Sequence, residues 1–267
     1  MDHVLYEVTE QVAVITLNRP EAANAQTQKV LMELDSAWSL AEADNAVKVI
    51  VLCSTGKHFS AGHDMTGKGG STVDMTIPLP DALYDWETRH YFHYAKRWRN
   101  VPKPSIAAVQ GKCIAAGLML CWPCDLIVAA DDAQFSDPVL FMGISGVEFH
   151  AHPWELGPRK AKEMLFAGTV LGAEEAAGLG MVNRVVPRDE LMTATMDLAR
   201  TIAQRDAFAL RMAKRAVNHT MDVQGFTSAI EAAFDMHHFA HTRASVITGG
   251  MPSLAGLSSM KNQQTTT

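Results

Sequence analysis

Two segments, each joining an apolar strand to a turn of small residues, constrain the fold of this chain most strongly. The first joins Val49–Cys53 to Lys57–Met65, and the second joins Ser105–Gln110 to Gly111–Met119, about 50 residues later. A helical pattern follows each turn. Small residues allow the backbone N–H groups of both turns to face a ligand. Two N–H groups that converge on one oxygen form an oxyanion hole, which stabilises an enolate or a tetrahedral intermediate.

The rest of the pattern predicts an α/β core followed by a helical C-terminal part. Strands are predicted at Val12–Leu17, Val47–Cys53, Ile106–Val109, Leu126–Ala130, Ala133–Phe135 and Val182–Pro187. Helices are predicted at 27–43, 84–98, 111–121, 159–166 and 173–177, and from 188 to about 241. Residues 66–82 carry Gly, Pro and Ser without a period, which predicts a loop. Near-helical spacing predicts a buried apolar face formed by Phe226, Ile230, Ala233, Phe234 and Met236.

The charge and composition restrict the classes of partner. The chain has 267 residues, 48% of them hydrophobic and 19% charged, with a net charge of −6. This balance is typical of a globular protein and favours neither nucleic acid nor an anionic membrane as a partner. No apolar run reaches 18 residues, so no transmembrane helix is predicted. An acid lies among the first residues, where a signal peptide carries basic ones, and we therefore expect a cytoplasmic protein.

Cysteines and histidines give no strong prediction of a metal site. Cys121 and Cys124 form a single CxxC, which is compatible with a redox pair or half of a zinc site. With no second CxxC, we favour small buried residues. Two groups of histidines are notable as possible ligands: His150 with His152, and His237 with His238 and His241. Because no carboxylates cluster beside them in the sequence, we favour structural roles and predict no metal.

A series of short segments follows the order of one known family along nearly the whole chain. They are Ile15–Glu21 with Asn24–Ala25, Phe59–Asp64, Lys103–Gly111, Ala115–Gly117, Cys124–Asp125, Ala133–Phe135, Pro138–Gly143, Leu171–Ala176, Gly178–Asn183 and Val186–Pro187. Together they resemble the enoyl-CoA hydratase/isomerase (crotonase) family. The resemblance implies an α/β spiral of ββα units over residues 1–195. It also implies a C-terminal helical oligomerisation module over residues 196–267 and homotrimers or hexamers.

The resemblance also implies an acyl-CoA thioester as ligand, with coenzyme A as part of the substrate and no covalently bound cofactor. Carried over position by position, it gives the backbone N–H groups of His63 and Ala116 as oxyanion donors. Alanine suits the second position if its φ is negative, because the donor is backbone. The implied substrate and CoA contacts are Ala23, Ala25, Lys57, Ala61, Asp64, Met65, Gly111, Gly117, Met119, Pro138, Val139 and Met142. Lys57 also fits a plain solvated lysine, and Lys261 is a weaker candidate for a CoA phosphate.

Two positions depart from the family pattern. Met119 and Val139 stand where a hydratase of the family has its two glutamates, and neither side chain can move a proton. Each general acid or base contributes about 10²–10⁴ in rate, so the rate of ordinary syn hydration should be very low. A double-bond isomerase of the family uses a single base, normally the second of these glutamates. Because Val139 stands there, isomerase activity is not predicted either. An apolar pocket at these positions would suit a bulkier acyl group.

Glu148, in the segment Gly146–His150, is the best replacement for the missing carboxylates. It lies where relatives with other reactions place a carboxylate, and in dehalogenating relatives that group is the nucleophile. We expect burial beside Val147 and Phe149 to raise its pKa towards the range of a general base. A solvated loop glutamate is the alternative. Asp137 is a second candidate, with a turn or capping role as its alternative.

Three histidines could also contribute. The ring of His63 could point towards the acyl group or pack outward against Asp64, and we favour a structural role. His90 and His93 lie on the aromatic helix that walls the acyl pocket in relatives, and either could act as a base. Trp86 and Tyr91 on that helix are predicted to line the core or the pocket.

The sequence therefore predicts an oligomeric acyl-CoA enzyme with a crotonase fold that stabilises a thioester enolate or oxyanion. One alternative is a hydrolase, dehalogenase or C–C cleaving member of the same superfamily. Another is a non-catalytic acyl-CoA-binding protein that has kept the fold and lost the acid–base pair. The acyl group of the substrate cannot be read from the sequence.

Overall fold

A computed structural model of the chain describes residues 1–66, 76 and 78–249. Its strands are β1 (Val4–Thr9), β2 (Val12–Leu17), β3 (Val49–Ser54), β4 (Ser105–Val109), β5 (Lys112–Ile114), β6 (Leu126–Ala130), β7 (Gln134–Ser136), β8 (Leu171–Gly172) and β9 (Arg184–Val186). Its helices are α1 (Gln28–Ala43), α2 (Leu79–Glu87), α3 (His93–Asn100), α4 (Leu118–Cys121), α5 (His152–Ala167), α6 (Ala173–Gly178), α7 (Leu191–Ala203), α8 (Ala207–Val223) and α9 (Phe226–Thr248). None of the described helices is long and apolar enough to cross a membrane.

Two sheets form the core. The larger has six strands in the order β1-β2-β3-β4-β6-β9, in which β1 is antiparallel to β2 and the later pairs are parallel. The smaller has the order β5-β7-β8. The near-continuous apolar sequences of β3, β4 and β6 suit parallel strands that are covered on both faces.

Successive side chains of β3 face opposite sides of the large sheet, and each side meets its own layer of helices. Ile50 and Leu52 belong to the main apolar cluster, which also contains the buried face of α1. Val49 and Val51 belong to a second cluster, closed by residues of α7 such as Leu191. The predicted boundary between residues 195 and 196 falls inside α7, and the division of the chain into two domains stays a prediction.

Two segments differ from the predicted elements. The aromatic helix consists of α2, a π-helical turn at Thr88–Phe92, and α3, and α2 begins within the predicted loop. Helix α5 begins at His152, before the predicted start, and is interrupted at Gly157, whose φ is 72°. Residues 67–75 and 77 of the predicted loop lie outside the described part of the chain, as does Lys261.

The C-terminal helices α8 and α9 differ in how they pack. No residue of helix α8 is as buried as Phe226, Ile230 and Phe234 of α9, which pack against the core. Met236, which was predicted to share that face, is 64% exposed. Two residues advance a helix by about 200°, so Met236 lies on the side opposite Phe234.

Candidate active site

The two small-residue turns lie side by side, as the sequence suggested. The backbone N–H of Ser60 donates to the carbonyl of Lys112 (3.2 Å), and that of Ile114 donates to the carbonyl of Ser60 (3.0 Å). A Cβ on Gly117 would lie 2.7 Å from the carbonyl oxygen of Ser60, and one on Gly62 would lie 3.2 Å from the Ala116 nitrogen. The glycines therefore permit an approach that larger residues would block.

The backbone N–H groups of His63 and Ala116 take no part in the hydrogen bonds that join the turns. Gln26 bonds to the residues on either side of His63, namely Gly62 (2.8 Å) and Asp64 (3.0 Å). In this parallel pairing the N–H of His63 itself points away from Gln26. Ala116 lies in a 3₁₀ turn at Ala115–Gly117, whose first N–H groups lack helical partners.

The backbone conformation satisfies the condition set for alanine at position 116. The left-handed φ of 49° belongs to Ala115, and Ala116 does not share it. The side chain of Gln26, which the sequence analysis did not single out, donates from Nε2 to the carbonyl of Ala116 (2.9 Å). Gln26 thus contacts both turns, through its backbone and through its side chain.

Glu148 is buried and faces the ring of His63. Its Oε1 lies 3.1 Å from His63 Nε2, while its Oε2 is buried and has no hydrogen-bond partner among the described residues. The His63 ring stacks on Tyr91, with ring centroids 3.8 Å apart. It does not pack against Asp64, which instead pairs with Arg19 at 3.0 Å. The solvated-loop alternative for Glu148 is therefore wrong, since only 4% of this residue is exposed.

The expected rise in the pKa of Glu148 is also wrong. Burial alone would raise it, but the charge and hydrogen bond of His63, with a further contribution from His237, lower the pKa of Glu148 below its usual value. Burial likewise raises the pKa of the Tyr91 hydroxyl, and the nearby Glu87 and Glu148 carboxylates add to the rise. Glu148 is thus held as a carboxylate in the interior by the histidines around it.

Asp137 supports the segment that carries Glu148. Its Oδ2 accepts the backbone N–H of Val147 (2.9 Å) and lies 2.9 Å from His152 Nε2. Both Asp137 and His152 are fully buried. This geometry favours the capping role for Asp137 over a catalytic one, because its carboxylate is engaged within the loop. The segment turns at Gly146, whose φ is 152°.

A second buried polar group lies next to Glu148, and the sequence analysis missed it. Glu87, at the end of α2, meets His237 and His238 of α9, with Oε2–Nε2 distances of 3.4 Å and 3.2 Å. His237 Nε2 also lies 3.8 Å from Glu148 Oε1. The sequence shows the adjacent histidines but not the glutamate, which is about 150 residues away along the chain.

The buried carboxylates and histidines of this group shift one another's pKa values. Burial lowers the pKa of a histidine, yet the Glu87 and Glu148 carboxylates raise the pKa of His237 to about 9. In turn His237 and His238 lower the pKa of Glu87, against the effect of its burial. Burial lowers the pKa of His241 to about 4.

The remaining candidates for catalysis, redox chemistry and the acyl pocket do not contact Glu148 through polar groups. His90 Nδ1 lies 2.8 Å from the carbonyl of Trp86, and His93 is exposed, so neither contacts Glu148. Met119 and Val139 are buried in the main apolar cluster. The four cysteines are free and buried.

The predicted CoA contacts differ in exposure and in the bonds that hold them. Ala61 donates its N–H to the carbonyl of Ala23 (2.9 Å), and the carbonyl of Ala25 accepts Arg19 Nη1 (2.8 Å). Lys57 and Ala61 are exposed, Met65 and Met142 are partly exposed, and Pro138 is buried. A Cβ on Gly111 would lie 2.2 Å from the Lys57 carbonyl oxygen, which explains the glycine there.

The α/β core with two facing small-residue turns defines the crotonase class of folds. The chain belongs to the enoyl-CoA hydratase/isomerase family, whose sequence model matches residues 7–253. It is 43% identical to EchA13 of Mycobacterium tuberculosis, a protein named as an enoyl-CoA hydratase, over 93% of this chain and 84% of the relative. It is 31% identical to a crotonyl-CoA hydratase of Syntrophomonas wolfei, over 82% and 83% of the two chains.

Solved structures agree with this assignment. A probable enoyl-CoA hydratase from Mycobacterium smegmatis superposes with a TM-score of 0.89 at 59% identity, covering 94% of this chain and 99% of the other. An enoyl-CoA hydratase/isomerase from Xanthobacter autotrophicus Py2 gives a TM-score of 0.82 at 37% identity, covering 89% and 87%. The predicted fold class is confirmed, and the chain is an acyl-CoA enzyme of this family.

Proposed function

We propose that the chain binds an acyl-CoA thioester with the thioester oxygen between the backbone N–H groups of His63 and Ala116. Both N–H groups are free of hydrogen bonds to described residues, and they belong to turns that touch at Gly62 and Ala116. Two donors aimed at one oxygen would stabilise the negative charge that develops when the α-carbon loses a proton. Ala116 also lies in the first turn of a short helical segment, which adds positive potential.

In this proposal Glu148 takes the α-proton, and the electron pair of the broken C–H bond passes to the thioester oxygen. If Glu148 instead acts as a nucleophile, its bond to the acyl carbon forms as the bond from that carbon to a leaving group breaks. The observation that carries it is the buried Oε2, which has no partner among the described residues, while Oε1 is held by His63. A carboxylate oriented on one side and free on the other is ready to accept a proton or to form a bond to carbon. His63 would fix the orientation of Glu148 through its side chain while offering its backbone N–H to the substrate.

A reaction with one carboxylate fits the surrounding residues better than hydration with two. Met119 and Val139 contribute only apolar surface. The relatives are named as hydratases, so hydration of an enoyl-CoA is the second candidate, favoured by the 3.1 Å contact that makes Glu148 and His63 an acid–base pair.

Exchange of the α-protons of acyl-CoA thioesters in deuterated water tests the proposal directly. The unaltered protein should introduce deuterium at the α-carbon of a suitable saturated acyl-CoA, as measured by mass spectrometry across a panel of chain lengths. Glu148→Gln should lower the exchange rate by about 10²–10⁴ while thioester binding by calorimetry stays nearly unchanged. The exposed Glu163→Gln is the matched control. Equal exchange in Glu148→Gln and the control would refute a role for Glu148, and binding without exchange or turnover would favour the non-catalytic alternative.

We also propose that the chain self-associates as a trimer or hexamer through its C-terminal helices. Helix α8 exposes Phe208 and Val217, while α9 exposes Met236 and Phe239, the latter by 77%. An apolar surface of this kind commonly marks a subunit contact. Sedimentation should give a trimer or hexamer, and a monomer at micromolar concentration would contradict the proposal.

A further inference from the structure

Glu87, His237 and His238, here called the Glu87 cluster, bring three potential ligand atoms together in the protein interior. The Glu87 oxygen and the two histidine Nε2 atoms all lie within 4.8 Å of one another. Their residues are 5%, 3% and 7% exposed, respectively. Glu87 comes from α2, and both histidines come from α9. The cluster therefore exists only where these two helices pack together.

The three atoms face one another. Glu87 Oε2 lies 3.4 Å from His237 Nε2 and 3.2 Å from His238 Nε2, and none of the three atoms has a further hydrogen-bond partner among the described residues. Ligands at 2.0–2.1 Å from a tetrahedral zinc ion are separated from each other by about 3.3 Å. The two measured separations match the edge of such a tetrahedron.

The ring of His237 is oriented as a metal-binding imidazole usually is. Its Nδ1 lies 2.6 Å from the carbonyl oxygen of Gly146, to which it can only donate. Nε2 is then the nitrogen that faces Glu87, and it can bind a metal ion once the ion has displaced its proton. An outer carbonyl that fixes the tautomer in this way is a regular partner of metal-ligating histidines.

The charge of the surroundings also suits a cation. Glu148 Oε1 lies 3.8 Å from His237 Nε2, so two buried carboxylates flank this ring. The ring of His241 is 4.6 Å from that of His237 between centroids, and its buried Nδ1 has no partner among the described residues. A divalent ion would balance both carboxylates without a proton on either ring.

We propose that Glu87, His237 and His238 form a binding site for a zinc ion. Two imidazole nitrogens and one carboxylate oxygen are the protein ligands of zinc sites that keep a fourth position for water. The proposal is independent of the proposed acyl-CoA chemistry, because neither Glu148 nor the N–H groups of His63 and Ala116 belong to the ligand set.

Metal content and competition with a chelator test this site on the whole protein. After removal of metals by chelation and dialysis, added zinc should bind at about one ion per chain, and cobalt(II) should give the visible absorption of a four-coordinate site. Zinc should also raise the melting temperature of the unaltered protein, as expected for a ligand of the native state.

Matched variants separate the cluster from adventitious sites. His238→Gln and, as the milder change, Glu87→Gln should weaken zinc binding by at least about 100-fold, since loss even of outer partners costs about 10–100-fold. The exposed His219→Gln on α8 should bind zinc as the unaltered protein does. Glu148→Gln should lose α-proton exchange and keep zinc, which separates failure of one proposal from failure of the other.

Two results would overturn the zinc site. One is an unaltered, folded protein that fails to retain zinc against a micromolar chelator. The other is zinc binding that survives in both cluster variants.

Discussion

The paired turns and the Glu87 cluster are linked by the His63–Glu148 contact, but the turns act through backbone groups and the cluster acts through side chains. The turns offer backbone N–H groups, and they are positioned by glycines and by hydrogen bonds such as that between Ile114 and Ser60. The Glu87 cluster is made of side chains from helices that meet only in the folded chain. The first region can therefore tolerate changes of side chain that preserve the backbone, whereas single substitutions remove the second.

The rate of crotonyl-CoA hydration should show how far the backbone region acts alone. We expect turnover at least about 10⁴-fold below the usual 1–10³ s⁻¹ of enzymes, because the acid and base are both missing at Met119 and Val139. A coupled spectrophotometric assay measures this. Hydration at an ordinary rate would mean that Glu148 and its neighbours replace the two glutamates in full.

Gly117→Ala should damage the backbone region without touching the side-chain region. Its new Cβ would meet the carbonyl of Ser60 at 2.7 Å and push the turns apart. We expect turnover to fall by about 10²-fold, as when one oxyanion donor is lost, and unfolding free energy to fall by about 1–3 kcal/mol. Gly178→Ala, whose Cβ would meet nothing within 4 Å, is the control. Equal turnover in the two variants would argue against the proposed oxyanion donors.

Asp137→Asn tests how strongly the side-chain region depends on its supporting loop. The neutral amide would weaken the bonds to Val147 and His152, so Glu148 would lose its fixed position. We expect unfolding free energy to fall by about 1–3 kcal/mol, and the turnover number to fall while substrate binding is retained. Exposed Asp131→Asn is the control. A loss of stability with unchanged kinetics would restrict Asp137 to a structural role.

The smallest effect is expected at Glu155 on α5, which belongs to neither region. Burial raises the pKa of Glu155 to about 7, and Arg99 offsets only part of the rise. The folded state binds the proton of the Glu155 carboxyl more tightly than the unfolded state does. The contribution of this group to the free energy of unfolding is therefore fully present below about pH 4.5 and is lost as the pH rises through 7. Glu155→Gln should melt about 2–4 °C above the unaltered protein at pH 8, with a smaller difference at pH 5. Exposed Glu163→Gln should show no such dependence.

Local sequence patterns were sufficient to predict the strands and turns that form the backbone region. Strands Val12–Leu17 and Leu126–Ala130 occur at their predicted limits, because apolar runs between turns are a local signal. The paired glycines likewise mark the two turns. The side-chain region could not be predicted in this way. Glu87 meets His237 only because α9 docks on α2, and the lowered pKa of Glu148 depends on His63, 85 residues away.

The position of the histidines on α9 has a consequence for the order of folding. This helix ends the described chain, and domains begin to fold from the N-terminus during synthesis. The cost of burying Glu87 and Glu148 is offset by histidines. Glu148 has one of them, His63, before α9 docks, but His237 and His238, the partners of Glu87, both arrive on α9. We therefore expect the pairing of Glu87 to be completed later in folding than the pairing of Glu148.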